Sequence, residues 1–290
     1  MLLSVIMRDL KEQDWTVEIK PTKRWLDLDL KSLWRYRDLY RMYVRRDIVT
    51  QYKQTILGPL WFLIQPALTT IMYMFIFGGL AGISTDSVPQ PLFYLAGITL
   101  WNYFSSSFTA SSDVFSKNAS VFGKVYFPRL VVPLSAITSN LLKMLIQLGL
   151  FAVVYVYYAI KGVDVSMNWS VLLFPFLVCL LAFHAMGAGL LFSSLTTKYR
   201  DLKFLISFGI QLFMYATPVI YPMSATEGKI KAVLEINPLT PIFEAFKYGT
   251  LGCGSLDWGG LLYSTVFMLL MLFIAVVIFA RVERNFMDTV

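Results

Sequence analysis

The sequence predicts an all-α integral membrane protein with six transmembrane helices, an N-terminal amphipathic helix and short re-entrant helices on the outer side. Three observations carry that reading. Six apolar stretches have membrane-spanning length, at roughly 58–80, 92–112, 131–160, 169–195, 204–221 and 260–280. A helix needs about 20 apolar residues to cross a hydrocarbon core of about 30 Å, and longer runs tilt. The 290 residues are 57% hydrophobic and only 15% charged, and the mean hydropathy of +0.62 is too high for an ordinary soluble domain. Lysine and arginine, finally, crowd one side of the six stretches.

That crowding sets orientation. Twenty of the 25 basic residues fall before the first stretch, in the second and fourth loops, or in the tail. The other side has only Lys161, Lys229, Lys231 and Lys247, and the 81–91 hairpin has none. An even number of spans with this bias places both termini in the cytoplasm. The net charge of +7 is then a topology signal, not a nucleic-acid footprint. Met1–Met7 is too short and lacks the leading basic region of a cleavable signal, so none is expected. Cys179 and Cys253 fall in separate segments, so no disulfide is expected, and two cysteines alone do not build a metal site.

The chain divides into a cytoplasmic segment 1–57, a transmembrane domain 58–280 and a cytoplasmic tail 281–290. A helix is expected over about 30–54, where Leu33, Tyr36, Tyr40, Tyr43, Val44 and Ile48 recur at three- and four-residue steps and arginines take mostly other faces. Such a helix lies along headgroups and meets anionic lipid; it could equally dock a cytoplasmic partner. Gly58-Pro59 marks a new helix start, and Pro66 is expected to kink the first span. The basic loop 113–129 has room for a short helix on the cytoplasmic face. The external region 222–258 reads as two short amphipathic pieces, about 226–235 and 239–251, split by Asn237-Pro238. Pieces so short and apolar suit re-entrant or interfacial helices.

Catalytic constellations are scarce. The single histidine, His184, sits within the fourth span without a histidine or carboxylate partner nearby in sequence, and is read as a packing residue. No G-x-x-x-x-G-K-[ST] phosphate loop exists, so energy must come from a partner or a gradient. Gradient carriers place ionisable residues at mid-membrane, and the spans here hold almost none; the main exception, Lys143, lies nearer the cytoplasmic end of the third. It either snorkels to the interface or attracts a phosphate group arriving from the cytoplasm. The spans do carry uncharged polar stripes at helical spacing. Trp61, Gln65, Thr69, Tyr73 and Phe77 share a face of the first; Asn102, Ser106 and Thr109 share one of the second; Asn140, Lys143 and Gln147 share one of the third. Unpaired polar groups avoid lipid, so these faces line a conduit or a helix interface. Hydroxyls and amides mixed with aromatic rings would suit a polyhydroxylated chain.

Arg46-Asp47-Ile48, Tyr52-Lys53-Gln54-Thr55, Leu57-Gly58-Pro59-Leu60-Trp61 and Gln65-Pro66 resemble the start of type-2 ABC exporter permeases of the polysaccharide group. Lys198-Tyr199-Arg200-Asp201-Leu202, Thr217-Pro218-Val219-Ile220-Tyr221 and Asn237-Pro238 fit the same pattern more loosely. The resemblance implies a homodimeric permease in the bacterial inner membrane, paired with two cytoplasmic P-loop ATPase subunits that bind ATP and Mg. This chain would bind no cofactor itself. Such pairs export O-antigen, capsule or teichoic-acid polymers, commonly lipid-linked. The N-terminal amphipathic helix would be the interface helix, with Arg46 and Lys53 at the substrate entrance or coupling point. Loop 113–129 would hold the coupling helix, with Lys117, Asn118, Phe122 and Lys124 meeting the ATPase, and the external pieces would gate the exit. A permease for a drug or small lipid is the alternative. A membrane-embedded glycosyl or acyl transferase would need a histidine or acidic cluster that the sequence lacks.

Overall fold

The computed structural model describes residues 30–53, 55–125, 127–163, 165–196, 199 and 201–286. The first 29 residues of the expected N-terminal segment, Lys198, Arg200 and the last four residues of the tail lie outside the described residues. Every regular element among the described residues is helical. In chain order these are α1 (Leu30–Arg35), α2 (Arg37–Tyr52), α3 (Trp61–Tyr73), α4 (Gln90–Ser112), α5 (Val114–Phe122), α6 (Val131–Ile160), α7 (Phe174–Thr196), α8 (Leu202–Tyr215), α9 (Gly228–Ile236), α10 (Thr240–Leu251) and α11 (Trp258–Phe286).

Among the described residues, four helical stretches are long and apolar enough to cross a membrane: Gly58–Leu80, Val131–Ile160, Trp169–Thr196 and Trp258–Val282. The other two expected spans differ from these, each for a physical reason. Helix α4 has the length, with 23 residues, but carries Asn102, Ser105, Ser106, Ser107, Thr109, Ser111 and Ser112. Its answer to lipid is to avoid it: 16 of the 23 residues are buried, packed by α3, α6, α7 and α10. Helix α8 is apolar but has only 14 residues, which reach about 21 Å. It stops at Tyr215 because Pro218 disfavours helical geometry at Thr217 before it. The chain then turns inward, burying Thr217, Val219 and Ile220 against the start of α4.

The first span runs through Pro66 without a break, and its departure from α geometry comes later. At Met74–Leu80 it widens into a π-helix, closed by the Ala81 amide donating to the Ile76 carbonyl at 2.9 Å. Only Pro66 and Thr70 of α3 are buried, so Leu68, Ile71, Met72 and Phe75 present a bare apolar face. Such a face is what lipid or a second protomer covers.

Close approach of backbones fixes how α4 meets its neighbours. A Cβ at Gly189 of α7 would collide with the Ser111 side chain and lie 2.8 Å from the Phe108 carbonyl oxygen. At Gly97 it would lie 2.5 Å from the carbonyl oxygen of Val219. Small residues at such crossings let membrane helices pack by contact where hydrophobicity gives no drive. At the same end, Asn237 ties three segments together. Its Nδ2 donates to the Ala216 carbonyl at 2.6 Å and to Thr217 Oγ1 at 3.0 Å, and its Oδ1 accepts from the Leu239 amide at 3.0 Å. Helix α10 then ends on Gly252, whose φ of +71° supplies the left-handed cap. Asp257 opens α11 by accepting from the Gly259 and Gly260 amides at 2.9 and 3.0 Å.

Gly189→Ala is expected to cost about 1–3 kcal/mol through overpacking, read as a lower apparent Tm in detergent. Gly149→Ala, where the added methyl meets open space, serves as the control and does not lower it. Asn237→Ala leaves buried carbonyl and amide groups unpaired and is expected to cost a similar ~1–3 kcal/mol; Asn237→Asp keeps the bond from Leu239 but sets a carboxylate oxygen against the Ala216 carbonyl, and is expected to lose at least as much.

Candidate functional site

Polar side chains of α4 and α6 meet in one seam. Asn102 Nδ2 donates to Gln147 Oε1 at 3.4 Å, Asn140 Nδ2 donates to Ser107 Oγ at 3.4 Å, and Lys143 Nζ donates to Asn140 Oδ1 at 2.8 Å. The Lys143 ammonium also lies 5.7 Å from the centre of the Phe62 ring on α3, within cation–π range. The structure thus brings Asn102, Asn140, Lys143 and Gln147 together, largely by satisfying one another, and adds Ser107 and Phe62. Of this set Asn102, Lys143 and Phe62 are partly exposed and offer surface to a passing molecule, while Ser107, Asn140 and Gln147 are buried.

The remaining polar-face residues are dispersed. Trp61, Gln65 and Thr109 are exposed, while Thr69 and Ser106 are half-buried. Thr69 turns its hydroxyl back to the Gln65 carbonyl at 2.9 Å. Tyr73 and Phe77 meet edge to face at 5.3 Å, and the Tyr73 hydroxyl reaches Met214 Sδ on α8 at 3.5 Å. The face of α3 therefore changes from bare at Trp61 to packed at Tyr73.

Beyond the far end of α4 from α10 lie α2 and α5. Helix α2 rests on α6 through Tyr43, which is 4% exposed, and through the Tyr40 hydroxyl 2.6 Å from Thr138 Oγ1. Arg46 pairs with Asp47 at 2.7 Å and lies 4.3 Å from the centre of the Tyr43 ring; Lys53 is exposed. In α5 and the turn after it, the four expected ATPase contacts separate into two pairs. Lys117 and Lys124 are exposed, Lys117 with an ion pair to Asp113 at 2.8 Å. Asn118 and Phe122 face inward instead, Phe122 beneath the Arg129 guanidinium at 5.1 Å and Asn118 bonded to the Val114 carbonyl at 3.0 Å. Helical geometry explains the split, since positions 115, 118 and 122 share the face that packs on the body. Phe115 stacks on Phe279 at 4.6 Å, so this short helix is clamped, and Lys117 projects from a fixed platform with Lys124 just past its end.

At the opposite end, α10 buries a glutamate and a lysine one turn apart. Lys247 is 1% exposed; its Nζ donates to the Pro218 carbonyl at 2.5 Å and lies 4.0 Å from the centre of the Phe93 ring. Burial lowers the Lys247 ammonium to about 8, with Glu244 opposing the fall. Burial likewise raises the Glu244 carboxyl above the usual carboxylate range, and Lys247 offsets part of that rise. Glu244 escaped the sequence reading, and Lys247 entered it only as one of the few basic residues of the outer side. An acid and a base three residues apart within an apolar piece were the available signal.

His184 packs as expected: Nδ1 donates to the Leu180 carbonyl at 2.8 Å and the ring stacks on Phe267 at 6.2 Å. Cys179 and Cys253 are both free thiols. No group of three or more metal-ligating side chains occurs among the described residues.

Residues 38–251 match the family described as ABC-2 type transporter. Over 255 residues the chain is 29% identical to an O-antigen export system permease protein, RfbA, of Klebsiella pneumoniae, covering 87% of this chain and 94% of that one. An RfbA of Myxococcus xanthus is 27% identical over 75% of this chain and 82% of its own length. The polysialic acid transport protein KpsM of Escherichia coli is 22% identical over 82% and 91%. A match that runs from α2 through α10, over the helices that build the seam, the α5 platform and the buried α10 pair, makes this chain a member of the ABC-2 type transporter family.

Proposed function

We propose that the chain is the permease subunit of an ATP-driven exporter that carries a lipid-linked polysaccharide out of the cytoplasm, working as a homodimer with two P-loop ATPase subunits in the bacterial inner membrane. The observation that carries this reading is similarity along nearly the whole length of relatives named for O-antigen export. Geometry adds support. Helix α4 together with α3, α6, α7, α11 and the pair formed by α8 and residues 216–221 gives six crossings, with α9 and α10 as re-entrant pieces at the exit. Both termini then lie in the cytoplasm, beside α2 and α5.

ATP-driven closure of the ATPase pair pushes on α5 and α2. Because α5 is clamped by Phe115 and Phe122, force applied at Lys117 and Lys124 passes into α7 and α11 rather than bending a loop. The bare face of α3 meets the second protomer or lipid, and the path runs past Lys143, Asn102 and the aromatic residues of α3. The lipid diphosphate is drawn to Arg46 and Lys53, and Lys143 is the next cation along the way.

Purification of the tagged protein in mild detergent is expected to recover a stoichiometric P-loop subunit; its absence, where a known ABC complex survives, removes the energy source and the reading with it. Replacing Lys117 and Lys124 with glutamate should weaken that recovery and lower surface polysaccharide while membrane insertion is retained, since exposed charges contribute little to folding. Undiminished recovery would detach α5 from the partner. Lys143→Met is expected to cut export about tenfold, the loss of one charge-assisted hydrogen bond of ~1.4 kcal/mol, with Lys143→Arg retaining most of it. Normal export by Lys143→Met would leave Lys143 as a snorkelling residue only.

A further inference from the structure

Beside α10 lies a cavity of about 620 Å³ that the transport path described above does not use. It is walled by Asp86, Ser224, Lys231, Glu235, Glu244 and Asp257. Its volume falls within the range of about 300–1,000 Å³ typical of small-ligand sites. The walls come from the 81–89 hairpin and from the region before, within and after α9 and α10. Asp86 Oδ1 accepts from Ser224 Oγ at 2.6 Å, so the hairpin is pinned to the opposite wall.

One wall group is left unfinished. Glu244 is only 4% exposed, and its Oε1 has no hydrogen-bond partner. The backbone amide of Ser255 serves the carboxylate from one side, and Gly254 passes so close that a Cβ there would lie 3.1 Å from Glu244 Oε2. A buried carboxylate oxygen without a donor is costly, and beside an open cavity it calls for a donor from within that cavity.

The chemistry of the wall narrows the donor. Four carboxylates outnumber one ammonium, so phosphates and acidic sugars are disfavoured. No three of the acidic groups converge as metal ligands do, which disfavours a bound divalent ion. Among the units of a polysaccharide chain, what remains once acidic units are set aside is an uncharged sugar rich in O–H donors. Met223 and Pro241 supply an apolar patch on the same wall, against which the C–H face of a sugar ring can lie.

We propose that this cavity is a binding subsite for an uncharged sugar unit of the exported chain, with Glu244 and Glu235 accepting its hydroxyl hydrogens. The assignment rests on the reading of the protein as a polysaccharide permease, and it narrows the cargo to glycans with uncharged residues. As each unit emerges it exchanges hydrogen bonds with water for bonds to the wall, which hinders backward slippage.

The test is saturation-transfer NMR on the full chain, with its co-purified partner, in nanodiscs. Probes are neutral hexasaccharides of glucose, galactose or mannose, an oligogalacturonate of equal length, and calcium chloride. At least one neutral probe is expected to bind. Glu244→Gln and the surface variant Glu235→Gln should each weaken it about tenfold, as expected when a charge-assisted acceptor becomes neutral, with elution and Tm unchanged. Oligogalacturonate should not bind, and calcium should not compete. Absence of neutral binding, equal binding in the double variant, equal binding of oligogalacturonate, or competition by calcium would each overturn the subsite. Surface polysaccharide in a strain lacking the chain separates the two levels: if the polymer is lost there, only the subsite has failed; if it persists, the export reading has failed.

Discussion

Everything in this fold follows from one mismatch: a span-length helix too polar for lipid must be enclosed by the others. Helix α4 carries hydroxyl and amide side chains along its length, and an unpaired polar group in hydrocarbon costs several kcal/mol. Enclosure by α3, α6, α7 and α10 removes that cost. It also decides which neighbours need small residues, because a Cβ at Gly189 would meet α4 and one at Gly97 would meet the inward turn. The strongly apolar helices surrounding it keep much of their surface bare, as a membrane protein must.

Two cationic side chains mark the two ends of the interior. Lys143 sits in the α4–α6 seam, held by the Asn140 amide oxygen with the Phe62 ring near it. Lys247 sits under α10, held by a carbonyl oxygen and the face of Phe93. Neither described cation has a carboxylate within ion-pair distance. Oxygen dipoles and aromatic rings take that part.

Much of this was legible in the sequence. Hydropathy marked the spans α3, α6, α7 and α11, three- and four-residue steps located α2, the Asn237-Pro238 break separated α9 from α10, and loop 113–129 was long enough for α5. Pattern could not separate a polar face that lines a path from one that closes a helix interface, because both follow the same 3.6-residue period. Asn102, Asn140 and Gln147 were therefore found as a set, while their mutual bonding was not. Asn118 and Phe122 show a related limit, since the resemblance put them on a helix facing a partner but tertiary packing turned them inward. Glu244 was invisible because one carboxylate within an apolar piece resembles a solvated face until its neighbours are known.

The bond from Lys247 to the Pro218 carbonyl has a mechanical meaning. Together with Asn237, which grips Ala216 and Thr217, it welds α10 to the end of α8 at two points about one helix length apart in sequence. A hinge needs a free edge, and this cap has none on that side. Helix α10 cannot swing alone; it travels as one rigid plug with the end of α8, or a buried cation must first give up its oxygen. Displacement at this end is then an all-or-nothing stroke, suited to a device that advances in discrete steps and stays sealed between them.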